Sequence, residues 1–199
     1  MRFIGITGGV GAGKSEIIDY LAKKPRILVK KADLLAKELT ENDPDVREGL
    51  KSLAGESIFG KDGKPDRDRM AEIIFKDPSF LEKVNDLIHP AVKKRILKIR
   101  DEAEVSGKFD IFFIEAALLI EDGYDKICDE LWYIYADREI RIKRLTDFRG
   151  YSREKAENII NNQLSPEVFK KYCSRIIDNS GELKDSLREA DRIISGYTG

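Results

Sequence analysis

The run Gly8-Gly9-Val10-Gly11-Ala12-Gly13-Lys14-Ser15 is the first in the chain whose residue types and spacing can do chemistry. It satisfies G-x-x-x-x-G-K-[ST] at Gly8, Gly13, Lys14 and Ser15. Glycines let successive backbone N–H groups converge on an anion without a Cβ in the way, with Gly9, Val10, Gly11 and Ala12 supplying the rest of the cradle. Lys14 would neutralise the β- and γ-phosphates of a nucleoside triphosphate, and the Ser15 hydroxyl would hold Mg²⁺. Such a loop needs a strand before it and a helix after it. Arg2-Phe3-Ile4-Gly5-Ile6-Thr7 reads as the strand, and Ile17, Ile18 and Leu21 recur at helical spacing behind the loop. The helix start would point its unpaired amides and positive end at the same anion. The expected ligand is ATP.

The other polar candidates sit where predicted strands end. Arg26-Ile27-Leu28-Val29-Lys30 reads as a second strand, and Leu34, Leu35 and Leu39 carry the helix after it. Asp33 lies at that junction, either as a helix N-cap or as a carboxylate that takes a proton from a phosphoryl acceptor. Phe109–Ile114 is nearly all apolar, as a buried parallel strand should be, and ends at Glu115, the candidate Mg²⁺ contact. Leu131–Tyr135 is a fourth strand, with Trp132 expected in the core. The most basic helix follows it, with Arg138, Arg141, Lys143, Arg144 and Arg149. A helix starting at Ser152 comes next. Together these read as a lid over roughly residues 138–165, whose closing would bring guanidinium groups onto the transferring phosphoryl. Lys143 and Arg153 read as a solvated face. A short fifth strand at Arg175-Ile176-Ile177 leads into Asp178-Asn179-Ser180-Gly181, a loop expected beside the adenine.

Between the second and third strands, residues 40–107 are helical in pattern. Pro44 and Asp66 mark helix starts, and Asp77-Pro78 marks another. Ser57-Ile58-Phe59 is the one extended piece, followed by the turn Gly60-Lys61-Asp62-Gly63. His89-Pro90 is expected to interrupt the last helical pattern. His89, the single histidine, reads as a structural group or as a polar contact to substrate. The whole predicts an α/β three-layer P-loop NTPase sandwich: a parallel five-stranded sheet, a helical substrate-side insertion and a helical lid.

Composition narrows the function. The chain has 199 residues, 36 basic and 37 acidic side chains, and a formal charge of −1. The charges are mixed along the chain, so no block points to nucleic acid or an anionic membrane. With no apolar run of spanning length and no cleavage signal, the expected location is the cytoplasm, as a monomer or weak homo-oligomer. Cys128 and Cys173 have no metal-ligand spacing and read as small apolar residues. No Asn-Lys-x-Asp pattern is present, which argues against a GTPase switch. A compact small-molecule kinase is the reading that remains, beside a kinase-derived nucleotide-binding regulator.

The ordered motifs resemble the dephospho-coenzyme A kinase family over almost the full length. The resemblance rests on Ile6–Ser15, Ala32-Asp33, His89-Pro90, Leu118-Leu119 with Glu121, Arg144-Leu145, Gln163 and Ile177–Gly181. It implies transfer of the ATP γ-phosphate to the ribose 3′-hydroxyl of dephospho-coenzyme A, with Mg²⁺ as the metal. It further implies Asp33 as the acceptor-activating carboxylate, with Lys14, Arg144 and Arg149 on phosphates. Asn179 and Gly181 would lie on the nucleotide side, and His89, Leu118 and Glu121 on the acceptor side. Against the family pattern, Lys31 stands where an aspartate is usual and Ala117 where a proline is usual. Phe148 falls where an arginine is expected, with Arg149 one position later.

Overall fold

The computed structural model describes residues 1–60, 62–77 and 79–197, so the expectations at Lys61 and Pro78 lie outside it. The chain forms two compact units, one of Met1–Lys30 with the chain from Ala103 onward, the other of Lys31–Glu102.

The first unit is built on a five-stranded sheet of order β2-β3-β1-β4-β5. The strands are β1 (Arg2–Thr7), β2 (Ile27–Lys31), β3 (Ile111–Glu115), β4 (Glu130–Tyr135) and β5 (Arg175–Asp178). β1 runs parallel to both β3 and β4, and β4 parallel to β5. The central strands are apolar on both faces because both are covered. On one face Ile4, Ile6, Ile111, Phe113, Trp132, Ile134 and Ile177 meet Ile17, Ile18 and Leu21 of α1 (Lys14–Leu21) and Ala190, Ile193 and Ile194 of α9 (Leu183–Ser195). Burying each such aliphatic side chain contributes about 1.5–3 kcal/mol. Trp132 is fully buried there, edge-on to Phe113 at 5.0 Å, as its reading as core requires. α1 and α9 are also tied at the surface, where Asp191 accepts from Tyr20 Oη at 2.5 Å and pairs with Lys24 at 2.6 Å.

On the other face Leu131 and Tyr133 pack with Phe169 of α8 (Pro166–Tyr172) and with Cys173. Burial pushes the Cys173 thiol up to about 12, so it packs as a small apolar residue. α6 (Arg138–Arg149) and α7 (Arg153–Asn161) make a small core of their own from Ile142, Leu145, Ala156 and Ile160, which Val10 joins. Ser152 caps α7 by accepting from the Lys155 N–H. Arg153, read as solvated, forms exposed pairs with Glu139 and Glu157.

The second unit is helical: α2 (Ala32–Asn42), α3 (Pro44–Ala54), α4 (Arg67–Lys76) and the long α5 (Ser79–Ser106), which runs on into the first unit. Asp43 caps α3 with Pro44 in its first turn, and Asp66 caps α4 by accepting from the Asp68 and Arg69 amides. Two expectations are corrected here. His89-Pro90 does not interrupt the helix, because α5 is one helix of 28 residues that runs through Pro90. An interior proline removes one hydrogen bond and crowds the preceding turn, at about 3 kcal/mol. Val84, Val92, Ile96 and Ile99 are buried on both sides of it, and that packing offsets the cost. The extended piece at Ser57–Phe59 reduces to one antiparallel bridge between Phe59 and Pro65, since Glu56–Ile58 form a 3₁₀ turn.

The entry to β2 gives a pH test. Arg26 sits at φ 58, and its guanidinium clamps Asp110 through bonds of 2.7 and 2.6 Å while its carbonyl accepts from the Asp110 N–H. Arg26 holds the Asp110 carboxyl below its ordinary value. A depressed carboxylate contributes stability that is full above its unfolded pKa of about 3.9 and is lost as pH falls through the lowered folded value. Urea midpoints from pH 5 to pH 2 should therefore fall less steeply for Asp110→Asn than for the parent chain, and parallel curves would show that the clamp contributes nothing.

Candidate active site

Each strand of the sheet feeds a segment that carries one of the candidate groups, and the loop after β1 is the most constrained. Gly13 is the N-cap of α1, with φ 85 and no side-chain cap, so the first amides of the helix have no capping oxygen. A Cβ at Gly13 would lie 2.2 Å from Asn179 Nδ2, so both the backbone sign and the space demand glycine. The carbonyls of the loop are taken up in turn by side chains. Lys14 Nζ donates to Gly8 O at 2.7 Å. Arg141 Nε donates to Val10 O at 2.8 Å. Arg144 Nη1 reaches Gly11 O and Ala12 O, each at 3.4 Å, and Asn179 Nδ2 donates to Ala12 O at 2.8 Å. In a trans peptide the C=O and the next N–H point opposite ways. Holding the Val10 and Ala12 carbonyls therefore turns the Gly11 and Gly13 amides away from those side chains. Among the described residues no carbonyl accepts from either amide. Amides arranged in this way can hold an anion.

Glu115 ends β3 in register with Ile6. Side chains two apart on a strand share a face, so Glu115 continues the face of Phe113, which packs on α1. It is half-buried, on the face of the sheet that α1, the helix starting at Lys14 and Ser15, covers. Beyond it Leu119 is buried, whereas Leu118, 44% exposed, and Glu121 face solvent.

The loop after β5 also holds the backbone of the loop after β1. The Asn179 side chain is buried, donating to Ala12 O and accepting from Ser186 Oγ at 2.9 Å, and its carbonyl accepts from Arg144 Nη2 at 2.8 Å. Asn179 thus braces the phosphate loop, while Gly181 is exposed. Arg144 is half-buried against the loop; Arg149 is exposed in the last turn of α6, after Phe148, which is 84% exposed. In the second unit, Asp33 is not the N-cap of α2. Lys31 occupies that position, and Asp33 stands exposed in the first turn. No hydrogen bond or ion pair engages its carboxylate among the described residues. His89 is half-buried inside α5.

Sequence reasoning missed Arg141 and Ser186 as members of this network. Arg141 carried a signal: it lies four residues before Leu145, on the stripe that Ile142 and Leu145 bury. A charged residue on a buried stripe needs a polar reason to be there.

A parallel sheet whose central strand leads through a glycine-rich loop to a helix start, with a basic helix after β4, defines a P-loop kinase. A sequence profile described as dephospho-CoA kinase matches residues 2–185, and this chain belongs to that family, phosphotransferases with an alcohol acceptor. The dephospho-CoA kinase of Fusobacterium nucleatum is 34% identical over 192 residues, covering 96% of both chains. The solved dephospho-CoA kinase from Campylobacter jejuni superposes with a TM-score of 0.73 at 25% identity, covering 98% of this chain and 96% of that one. A shikimate kinase from Acinetobacter baumannii shares the fold alone, with a TM-score of 0.53 and 12% identity over 100% of this chain and 96% of its own.

Replacing Asn179 by alanine removes the donor to Ala12 O and one partner of Ser186. Ala12 O keeps Arg144 and Ser186 keeps the Asp178 carbonyl, so the loss is that of the hydrogen bonds themselves, about 0.5–1.5 kcal/mol each. Urea denaturation of Asn179→Ala should show a loss in that range, and a change under about 0.5 kcal/mol, typical of inert surface positions, would mean that Asn179 is no brace.

Proposed function

We infer that this chain transfers the γ-phosphoryl group of ATP to the ribose 3′-hydroxyl of dephospho-coenzyme A, giving coenzyme A and ADP. The observation that carries this is family membership across residues 2–185 in a chain that keeps the phosphate loop from Gly8 to Ser15 intact. The fold alone would not choose the acceptor, since a shikimate kinase shares it.

In this reading the loop amides and Lys14 bind the triphosphate, and Arg144 and Arg149 stabilise charge on the transferring group. Asp33 accepts the proton of the 3′-hydroxyl as its oxygen forms a bond to the γ-phosphorus. The bond from that phosphorus to the β–γ bridging oxygen breaks, and ADP leaves with the electron pair. Among the described residues no side chain engages the exposed Asp33 carboxylate, which suits a proton acceptor. His89, Leu118 and Glu121 are assigned to the acceptor, as is the helical insertion at residues 40–107. Asn179 and Gly181 belong with the nucleotide, and residues 138–165 form the lid.

Mg²⁺ supplies charge neutralisation on the β- and γ-oxygens when bound. Ser15 and Glu115 are the residues that would hold it. One hydroxyl and one carboxylate are a donor set that suits Mg²⁺. That ion takes one or two protein ligands and fills its other positions with phosphate oxygens and water. No helix among the described residues is long and apolar enough to cross a membrane. In this reading the substrate is met in the cytoplasm.

A product-resolved assay of the purified chain with MgATP and dephospho-coenzyme A should yield coenzyme A and ADP in equal amounts. Absence of coenzyme A with ATP binding intact would overturn the assignment. Asp33→Asn should keep the fold and ATP affinity and lower kcat by about 10²–10⁴-fold, the usual range for a lost proton acceptor. Normal turnover would reduce Asp33 to a favourable charge at a helix start. Arg149→Ala should lower kcat by about tenfold or more with an unchanged melting temperature. An equal rate would move that role to Arg144.

A further inference from the structure

Arg141 presents a physical problem that the kinase reading does not solve. It is 6% exposed, on α6, and among the described residues no carboxylate lies within ion-pair distance of it. Its partners are neutral oxygens: Val10 O at 2.8 Å from Nε, and Gln163 Oε1 at 2.6 Å from Nη2. The titratable groups that bear on it are Tyr133, Tyr135 and Arg138. Tyr133 is pushed up to about 12 by burial, and Tyr135 is raised above its ordinary value by its hydrogen bond to Asp137, so both are neutral at pH 7. Arg138 is itself a cation. A buried cation without a counter-charge costs several kcal/mol. Burial accordingly lowers the guanidinium pKa below its ordinary value, although it remains charged.

Its position against the phosphate loop is what gives this cost a meaning. A Cβ on Gly9 would fall 2.2 Å from Arg141 Nη2 and 2.4 Å from its Cζ, so the guanidinium lies directly on the loop backbone. Gln163 closes the arrangement, because the Oε1 that accepts from Arg141 also accepts from the Val10 N–H at 3.0 Å. Both polar groups of Val10 are thereby held from outside the cradle, its carbonyl by Arg141 and its amide by Gln163. Holding that carbonyl orients the following amide, Gly11 N–H, for an anion.

We propose that Arg141 is a positioning residue of the nucleotide site, whose buried guanidinium holds the Val10 peptide from behind the loop and takes its counter-charge from the bound polyphosphate. The chain carries this cation unpaired so that the triphosphate completes it. In a water-poor setting the attraction acts through the thickness of the loop, and it adds to the direct contacts of Lys14. The inference rests on the ATP site of the proposed function but not on the identity of the acceptor.

Calorimetric titration with MgATP and with inorganic tripolyphosphate, beside thermal unfolding without ligand, tests it in the full chain. Arg141→Gln keeps a donor for Val10 O and removes the charge. Its unliganded melting temperature should hold or rise, while Kd for both ligands rises by about tenfold. Arg141→Lys restores the charge and should recover most of that affinity. Gln163→Glu keeps the acceptor for Val10 N–H and Arg141 but supplies an internal carboxylate. It should raise the unliganded melting temperature and weaken both ligands by about tenfold, since the guanidinium is then already paired. In turnover Arg141→Gln should raise KM for ATP more than it lowers kcat. An Arg141→Gln variant that melts lower or fails to fold makes Arg141 a structural brace and overturns the proposal, as does a Gln163→Glu variant that binds ATP as tightly as the parent. Absence of coenzyme A formation by the parent chain, with the ATP affinities of the variants shifted as expected, would instead count against the acceptor assignment.

Discussion

The structure depends on ordering a loop that has almost no side chains of its own. Between Thr7 and Lys14 only Val10 and Ala12 carry a Cβ, so the segment has little apolar surface to bury and much backbone freedom to lose. Order comes from hydrogen bonds made by other elements: Arg141 and Arg144 from α6, Asn179 from the end of β5, and Lys14 from the helix that the loop starts. Bonds from charged donors are worth about 1.5–3 kcal/mol each, which suits them to holding glycine backbone. The same bonds set the direction of the amides, so the interactions that fold the loop also prepare it for an anion.

Much of the rest of the first unit serves that arrangement. β1 is central and buried on both faces, so the loop leaves a rigid strand. β4 and β5 lie next to it in order, which puts α6 and Asn179 within reach. The α6–α7 pair has its own apolar core, and Val10 is inserted in it. The segment read as a lid is therefore anchored at the loop by Val10, Arg141 and Gln163, while Phe148 and Arg149 stand exposed at the end of α6. An arginine one position from its expected place changes its direction on a helix by about 100°, so the side chain that meets the phosphoryl is set by the backbone there.

The sequence was most legible where one local rule decides the outcome. Apolar runs marked β1, β3 and β4 to within two residues, and Asp43, Asp66 and Ser152 cap their helices as their types suggest. It was least legible where packing overrides a local preference. Pro90 should end a helix and does not, because buried residues on both sides hold α5 together. Asp33 has the type of an N-cap, yet β2 runs on to Lys31 and moves the cap away from it. Ser57-Ile58 has strand propensity but closes a 3₁₀ turn with Ile58 buried.

By itself, the sequence determined that residues 8–15 carry the P-loop pattern, because the glycine spacing, Lys14 and Ser15 meet it position by position. It also determined the family, since the motifs recur in order over nearly the whole chain. Tertiary structure decided how the loop is held. Arg141 and Gln163 are 22 residues apart and meet on Val10, and Asn179 reaches Ala12 from 167 residues away. No periodicity or spacing encodes such meetings. They follow from a sheet order in which β1 lies beside β4, with β5 next, so that segments distant in the chain converge on one turn of backbone.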